Sequence, residues 1–390
     1  MPQPTLLIIG PTPPPFHGVS VAMSTLLESP LRQRFQLLHL DLADRRGIQH
    51  VDKPDFHDVL LFLRQWVRLM RILITERPGL VYLALSQSTI GFLRDSVFIW
   101  PASVFGAHVV VHLHGGNFHT WYLHRSWVMR AYVRAVMKRV AHGIVLGESL
   151  KGLFDGLIRH DRISVVPNGV LRGSAGTPLA DKHAPPDRPL FRVIFLSTLS
   201  RQKGLFILLQ AIPLVVREHK DVEFCIAGPW WGPTTQADAN AWITDADVTP
   251  YVRFVGEVTG SNKTDLLRSG DVFVFPGVQQ EGQPLTVLEA MSEGLPVIAT
   301  DRGCLRETVT EGATGFIVPP GSPDAIAEKL LLLIHRPELL QQMARNARER
   351  FENEYTMEKF TARMEQVFSK TLTSAQKPHT TNHLFRSTEL

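Results

Sequence analysis

Several scarcities in this sequence narrow what the protein can be. The 390 residues hold two cysteines, Cys225 and Cys304, in neither zinc-like nor disulfide-forming spacing, which predicts a reducing compartment and no metal. The longest apolar stretch, Val97 to Leu113, is interrupted by Pro101, Gly106 and His108. It therefore reads as a helix and a strand, not as a membrane span. The opening MPQPTLLIIGP has no basic region ahead of its apolar run, so no secretory signal is expected there. Excess charge is scarce too, at a net of +4 with an isoelectric point near 9.1. No basic stripe with interleaved stacking aromatics accompanies it, which excludes nucleic acid as the partner. Mild basicity fits an anionic ligand or a lipid surface.

What is present is an ordinary globular composition, 44% apolar and 20% charged, in a chain long enough for two to three domains. Strand-like runs recur at Thr5 to Gly10, Phe35 to Asp41, Leu80 to Leu85, His108 to Leu113, Gly143 to Leu146 and Ile163 to Val166. They restart at Phe191 to Ser197, Val222 to Gly228, Val252 to Gly256, Asp271 to Phe275, Pro296 to Thr300 and Gly315 to Val318. Helical segments alternate with them throughout, and that alternation predicts an α/β protein with parallel sheets covered on both faces. Between the halves, Leu171 to Pro189 is rich in Gly, Pro, Ala and Asp with no apolar period. The expected organisation is a first domain over 1–170, a linker over 171–189 and a second domain over 190–352. A helix over 353–371 crosses back to the first domain, and a polar tail over 372–390 is disordered.

The stretch Asp271 to Pro296, DVFVFPGVQQEGQPLTVLEAMSEGLP, carries the densest chemistry. A buried strand stops at Pro276-Gly277, a loop follows, and Pro284 stands where a helix begins. Unpaired first-turn amides and the helix dipole suit a phosphate. Glu281 lies in the loop and Glu289 inside the helix. An eight-residue helical separation means about 12 Å of rise, too far for two carboxylates to share one bond-breaking task. They read as separate acceptors for hydroxyl groups.

Glu281, Gly282, Pro284 and Glu289, followed by Gly294-Leu295-Pro296-Val297-Ile298-Ala299-Thr300, resemble the signature of retaining GT-B glycosyltransferases of glycosyltransferase family 4, the glycosyl transferases group 1. The resemblance implies two Rossmann-like domains facing a central cleft and a hexosyltransferase-type enzyme, with no cofactor. It places Glu281 on the donor sugar, Glu289 on the ribose, and Gly282 with the backbone of Leu285 and Thr286 at the diphosphate. His114 in HVVVHLHGGNFH matches the family histidine near the reacting carbon, beside Gly115 and Gly116. Lys203, ahead of Gly204 and an amphipathic helix, matches the lysine that neutralises the departing diphosphate. An arginine common five residues before that lysine is here Thr198, and Arg201 is the candidate substitute.

Gly18 opens the first helix and stands at the cleft by the same resemblance, although the paired glycine is here Val19. Gly228 matches the glycine before the base pocket, Glu307 a glutamate near the nucleotide, and Pro167-Asn168-Gly169 the turn closing the first domain. Asp245 and Asp247 form an Asp-X-Asp pair, read as solvated charge with no metal.

Two helices carry cations on one stripe: Asp58 to Glu76 with Arg64, Arg68 and Arg71, and Ser126 to His142 with Arg130, Arg134 and Lys138. Singly, each is a core-packed helix with a solvated face; together they suit an anionic membrane surface. The expected partners are a nucleotide-diphosphate sugar and a glycan or lipid-linked acceptor. The setting is surface polysaccharide, lipopolysaccharide or glycolipid synthesis in the cytoplasm, or on the inner face of the cell membrane. A nucleotide-sugar epimerase or hydrolase on the same scaffold and a non-catalytic lipid-surface binding protein stay open.

Overall fold

The computed structural model describes residues 3–14, 18–43, 45, 56–172 and 190–376. Most of the expected linker, 173–189, and most of the expected tail, 377–390, lie outside the described residues. The first half runs β1 (Thr5–Gly10), α1 (Gly18–Glu28), β2 (Gln36–Asp41), α2 (Phe56–Thr75), β3 (Leu80–Ala84) and α3 (Thr89–Val104). It continues with β4 (His108–His112), α4 (Phe118–Leu123), α5 (Trp127–Met137), β5 (Val140–Val145) and β6 (Ile163–Val165). The second half runs β7 (Phe191–Leu196), α6 (Leu205–Glu218), β8 (Val222–Ala227), α7 (Gln236–Asp245), β9 (Val252–Gly256), α8 (Gly260–Ser269) and β10 (Val272–Phe275). Then come α9 (Leu285–Ser292), β11 (Val297–Thr300), α10 (Leu305–Thr308), β12 (Gly315–Val318), α11 (Pro323–His335), α12 (Pro337–Glu354) and α13 (Met357–Gln376).

Each half builds one six-stranded sheet, in the orders β2-β1-β3-β4-β5-β6 and β12-β11-β10-β7-β8-β9. Every pairing is parallel. The strand order reverses beside β1 in the first sheet and between β7 and β10 in the second. At such a reversal the loops leaving adjacent strands turn to opposite faces and open a crevice at the carboxyl ends.

Alternate residues of the strands feed two cores per sheet. In the first half Leu7, Ile9, Val81, Leu83, Val109 and Val111 pack under α2, α3 and α5. Leu6, Ile8, Tyr82, Val110 and Ile144 face the other way, toward Met23 and Leu26 of α1. Phe360, Met364, Val367 and Phe368 of α13 complete this second core. The last helix of the chain is therefore structural material of the first sheet. It docks through the Asn168–Gly169–Val170 turn, where Val170 N donates to Tyr355 O at 3.0 Å and Met357 N donates to Val170 O at 3.2 Å.

Three expectations are corrected. The helix expected over Ser126 to His142 ends at Met137, and Val140 begins β5. Val140 and His142 belong to a strand buried between neighbours, and partnering by β4 overrides the helical period. The segment expected as one crossing helix is broken at Tyr355 and Thr356, since those residues pair with Val170 across the chain. Leu372 to Gln376, assigned to the tail, are the last helical residues of α13.

His142 links β5 to pH. Its Nε2 lies 2.8 Å from Ser164 Oγ, and burial, then the charges of Lys370 on α13 and of Arg162, push its pKa down to about 4. The unfolded chain takes up this proton near the ordinary 6.5 and the folded one only near 4. Stability conferred by neutral His142 is thus present above about 6.5 and lost as pH falls toward 4, by up to about 3 kcal/mol. Urea midpoints measured across that window should fall with pH, and His142→Gln should flatten the decline; an unchanged slope would remove His142 as its source.

Candidate active site

The crevice between β7 and β10 gathers the second half's functional residues. The loop after β7 presents Lys203 and the loop after β10 presents Glu281. Lys203 Nζ donates to both carboxylate oxygens of Glu281, at 2.7 and 2.9 Å. Gln279 Nε2 adds a third donor at 3.1 Å. Glu281 keeps only 8% of its surface in contact with solvent, so its charge is stabilised mainly by these donors. The loop itself is fixed from both sides: Val278 N donates to Gln202 O at 2.9 Å, and Thr300 Oγ1 donates to Gly277 O at 2.5 Å.

Glu289 lies one turn into α9. Pro284 precedes this helix in an extended conformation, φ −62° and ψ 124°, with no side-chain cap. The amides of Leu285 and Thr286 therefore open the helix with no intrahelical acceptor, as an anion site requires. One oxygen of Glu289 accepts from Lys263 Nζ at 2.6 Å. The other, Oε2, is buried without a hydrogen-bond partner among the described residues. A carboxylate half-satisfied in this way has room for a ligand hydroxyl. Lys263, on α8, went unnoticed in the sequence, where no motif ties it to a glutamate 26 residues later.

Across the cleft, β4 ends in the His114–Gly115–Gly116 loop. A Cβ at Gly282 would fall 2.1 Å from His114 O, and one at Gly116 would fall 2.3 Å from Glu281 O. Two backbones in contact demand glycine on both sides. Gln87 braces the same loop, accepting from Asn117 N at 2.8 Å.

The His114 ring lies 4.0 Å from that of His112, with Tyr82 Oη 2.8 Å from His112 Nδ1 and 3.5 Å from His114 Nε2. Burial, then the neighbouring His114, hold the pKa of His112 well below the usual value. His112 is thus a neutral platform under His114. Burial raises the pKa of Tyr82 as well, so its hydroxyl keeps its proton.

Other expected residues fall differently. The Arg201 guanidinium lies 4.2 Å over the Phe206 ring and has no bond to Glu281, while Thr198 is half-buried in the same loop. Gly228 has φ +136°, and a Cβ there would meet Ser197 O at 1.8 Å; its lack of a side chain is demanded by the close approach of the chain just after β7. Around Gly18, by contrast, a Cβ would meet nothing within 4 Å. The carboxylate of Glu307 accepts from the amides of Glu148 and Ser149, both at 2.7 Å, and so spans the cleft. Asn168 also spans it, with its N donating to Gln283 Oε1 at 2.7 Å and its Nδ2 to Gln283 O at 3.0 Å. Asp245 ends α7 and Asp247 has φ +53°. No cluster of metal-ligating side chains occurs among the described residues.

Two parallel α/β sheets with residues of both meeting at one cleft are the GT-B architecture of glycosyltransferases. Residues 180–350 match the family model described as glycosyl transferases group 1. The chain is similar to a phosphatidyl-myo-inositol mannosyltransferase of Mycobacterium leprae, at 31% identity over 178 residues. That match spans 45% of this chain and 46% of the relative. The chain thus spans about half the length of these curated relatives. A Staphylococcus aureus capsular polysaccharide biosynthesis glycosyltransferase, CapM, is similar over 93% of this chain and 98% of its own, at 23% identity. Among solved structures, Anabaena HepE in complex with UDP superposes with a TM-score of 0.72 at 18% identity, over 94% of this chain and all of that one. Sucrose-phosphate synthase from Thermosynechococcus elongatus gives 0.74 at 17%, over 95% of this chain. These structures establish the fold.

Because Glu307 binds the first half only through hydrogen bonds, its removal tests how closure is held. Glu307→Ala should enlarge the radius of gyration in small-angle scattering while the melting midpoint shifts by no more than about 1 to 2 kcal/mol equivalent. An unchanged radius would assign closure to the glycine contacts and the Asn168–Gln283 bonds.

Proposed function

We propose that this protein transfers a sugar from a nucleotide-diphosphate sugar to a hydroxyl of a glycan or lipid-linked acceptor, with retained anomeric configuration. The acceptor would belong to surface polysaccharide, lipopolysaccharide or glycolipid assembly, at the cytoplasmic face of a membrane. The observation that carries the reading is the convergence of Lys203, Glu281 and the open amino end of α9 at the strand-order reversal, opposite His114. The similarities to a lipid-directed mannosyltransferase and to CapM support the acceptor class, and the UDP in HepE supports a nucleotide donor.

In this reading the donor diphosphate lies on the amides of Leu285 and Thr286 and takes Lys203 away from Glu281. Glu289, through its unpaired Oε2, holds the ribose. Glu281, freed from Lys203, accepts from sugar hydroxyls, and His114 is a hydrogen-bond partner near the reacting carbon. The acceptor oxygen attacks that carbon on the face the diphosphate leaves. One C–O bond forms as the other breaks, and the acceptor's proton passes to the departing phosphate oxygen. No side chain stands as a covalent nucleophile in this scheme. Lys203 and the helix amides stabilise charge that develops on the leaving group, the kind of contact whose loss costs on the order of a hundredfold or more in kcat.

Thermal stabilisation by a panel of UDP-, GDP- and ADP-sugars tests this. At roughly a hundred times its dissociation constant, a donor should stabilise by about 2.7 kcal/mol, and Glu289→Ala should abolish the shift. Turnover should then require an acceptor. Donor consumption without one would favour the hydrolase or epimerase, and a folded protein stabilised by no donor would sink the transferase.

A further inference from the structure

The layer of helices on the outer face of the first sheet is unusually apolar where it meets solvent. Of the large apolar side chains exposed among the described residues, all but Leu171, Leu190 and Trp231 lie between Phe56 and Val128. The sequence had pointed to cationic stripes on α2 and α5; the structure places α3 between them, packed against both. On α3 Ile90, Leu93 and Val104 are exposed and Val97 and Trp100 half-buried, at steps of three and four that place them on one stripe. Ile90 and Val104 are 70% and 68% exposed, and Phe56 and Trp127 at the starts of α2 and α5 are 83% and 74% exposed.

Around this stripe the charge is almost all of one sign. Arg64, Arg68 and Arg71 of α2 lie on one side, with Arg134, Lys138 and Arg139 at the end of α5 on the other, all exposed. The one acid of α2 is Asp58 in its first turn, α5 has none, and Asp95 of α3 is buried and paired with Arg94 at 2.7 Å. Arg134, Lys138 and Arg139 line a recess of about 530 Å³ with Trp100 and Ala131, the Arg139 guanidinium lying 4.5 Å over the Trp100 ring. No helix among the described residues is long and apolar enough to cross a membrane, so this surface could meet a bilayer only by lying on it.

We propose that the outer face of α2, α3 and α5 docks the protein on an anionic phospholipid bilayer. The apolar stripe enters the headgroup boundary, the flanking arginines and lysine engage lipid phosphates, and the recess beside Trp100 takes one phosphate headgroup. A second copy of the chain suits the face less well. A two-fold contact would set arginine against arginine, and like charges brought together at an interface cost several kcal/mol. Docking also leads to the cleft. Gln87, which braces the His114 loop, stands two residues before α3, so the amino end of the inserted helix borders the site. This last point rests on the transferase reading and would give a lipid-linked acceptor a short path to it.

Co-sedimentation of the full chain with vesicles of phosphatidylcholine, alone or mixed with phosphatidylglycerol, tests the docking. Binding is expected to the mixed vesicles only. Ile90→Ser with Val104→Ser should weaken it at least tenfold, and Arg64→Gln with Arg68→Gln and Arg71→Gln by about a hundredfold. These residues are exposed and outside the donor site, so donor-induced thermal shifts should persist in both variants. Equal binding by parent and variants would overturn the proposal, as would failure to sediment. A dimer in solution that Ile90→Ser with Val104→Ser dissociates would overturn it in favour of a second copy. Vesicle binding in a protein that no donor stabilises would leave the docking face standing and remove only the transferase reading.

Discussion

The ion pair between Lys203 and Glu281 is the constraint around which the cleft is arranged. The two residues are 78 positions apart and meet because β7 and β10 are neighbours although three strands separate their loops in sequence order. Both charges are largely withdrawn from water, with side-chain exposures of 21% and 10%. Removing either partner alone would leave the other poorly solvated, a situation worth several kcal/mol. A ligand that brings its own negative charge to Lys203 must therefore also satisfy Glu281. In the proposed reading a sugar diphosphate would do both, its phosphates replacing the carboxylate and its hydroxyls the ammonium.

The two halves are joined by contacts of different physical kinds. At the far seam, α13 buries Phe360, Met364 and Phe368 in the core of the first sheet, an apolar attachment whose loss would cost the burial of whole aromatic side chains. At the cleft the contacts are mainly hydrogen bonds and bare backbone, with Glu307 on two amides, Asn168 on Gln283, Gly116 against Glu281 and Gly282 against His114, beside the apolar contact of Cys304 with the first core. Hydrogen bonds of this kind exchange readily for bonds to water and contribute little net. The far seam is hydrophobic, and the seam at the cleft is mostly polar.

Much of the architecture was legible in advance because it depends on local periodicity. Parallel strands covered on both faces become unbroken apolar runs, and each of the twelve runs found in the sequence corresponds to a strand within a residue or two, except Gly143 to Leu146, whose strand starts earlier, at Val140. Where local pattern and tertiary pairing disagree, pairing wins. Val140 to His142 continue a helical period but are held by β4, and Tyr355 interrupts a helical run because Val170 binds it. Lys203, Glu281 and Glu289 were visible because a loop or helix start leaves a recognisable spacing around them.

What no spacing could reveal is who meets whom. Lys263 becomes the partner of Glu289, Glu307 reaches the amides of Glu148 and Ser149 across the cleft, and Arg201 lies over Phe206. Gly228 is dictated by the Ser197 carbonyl just beyond β7. The exposed stripe of α3 lies in a segment whose composition reads as core, and only the packing of its opposite face on β4 shows which residues are left over. The sequence by itself determined the alternation of strands and helices, the division into two sheets and the identity of the polar loops, because these follow from backbone geometry and burial period. Tertiary structure decided the ion-pair partners, the contacts across the cleft and the apolar face turned to the outside, because each depends on distances between residues the chain keeps far apart.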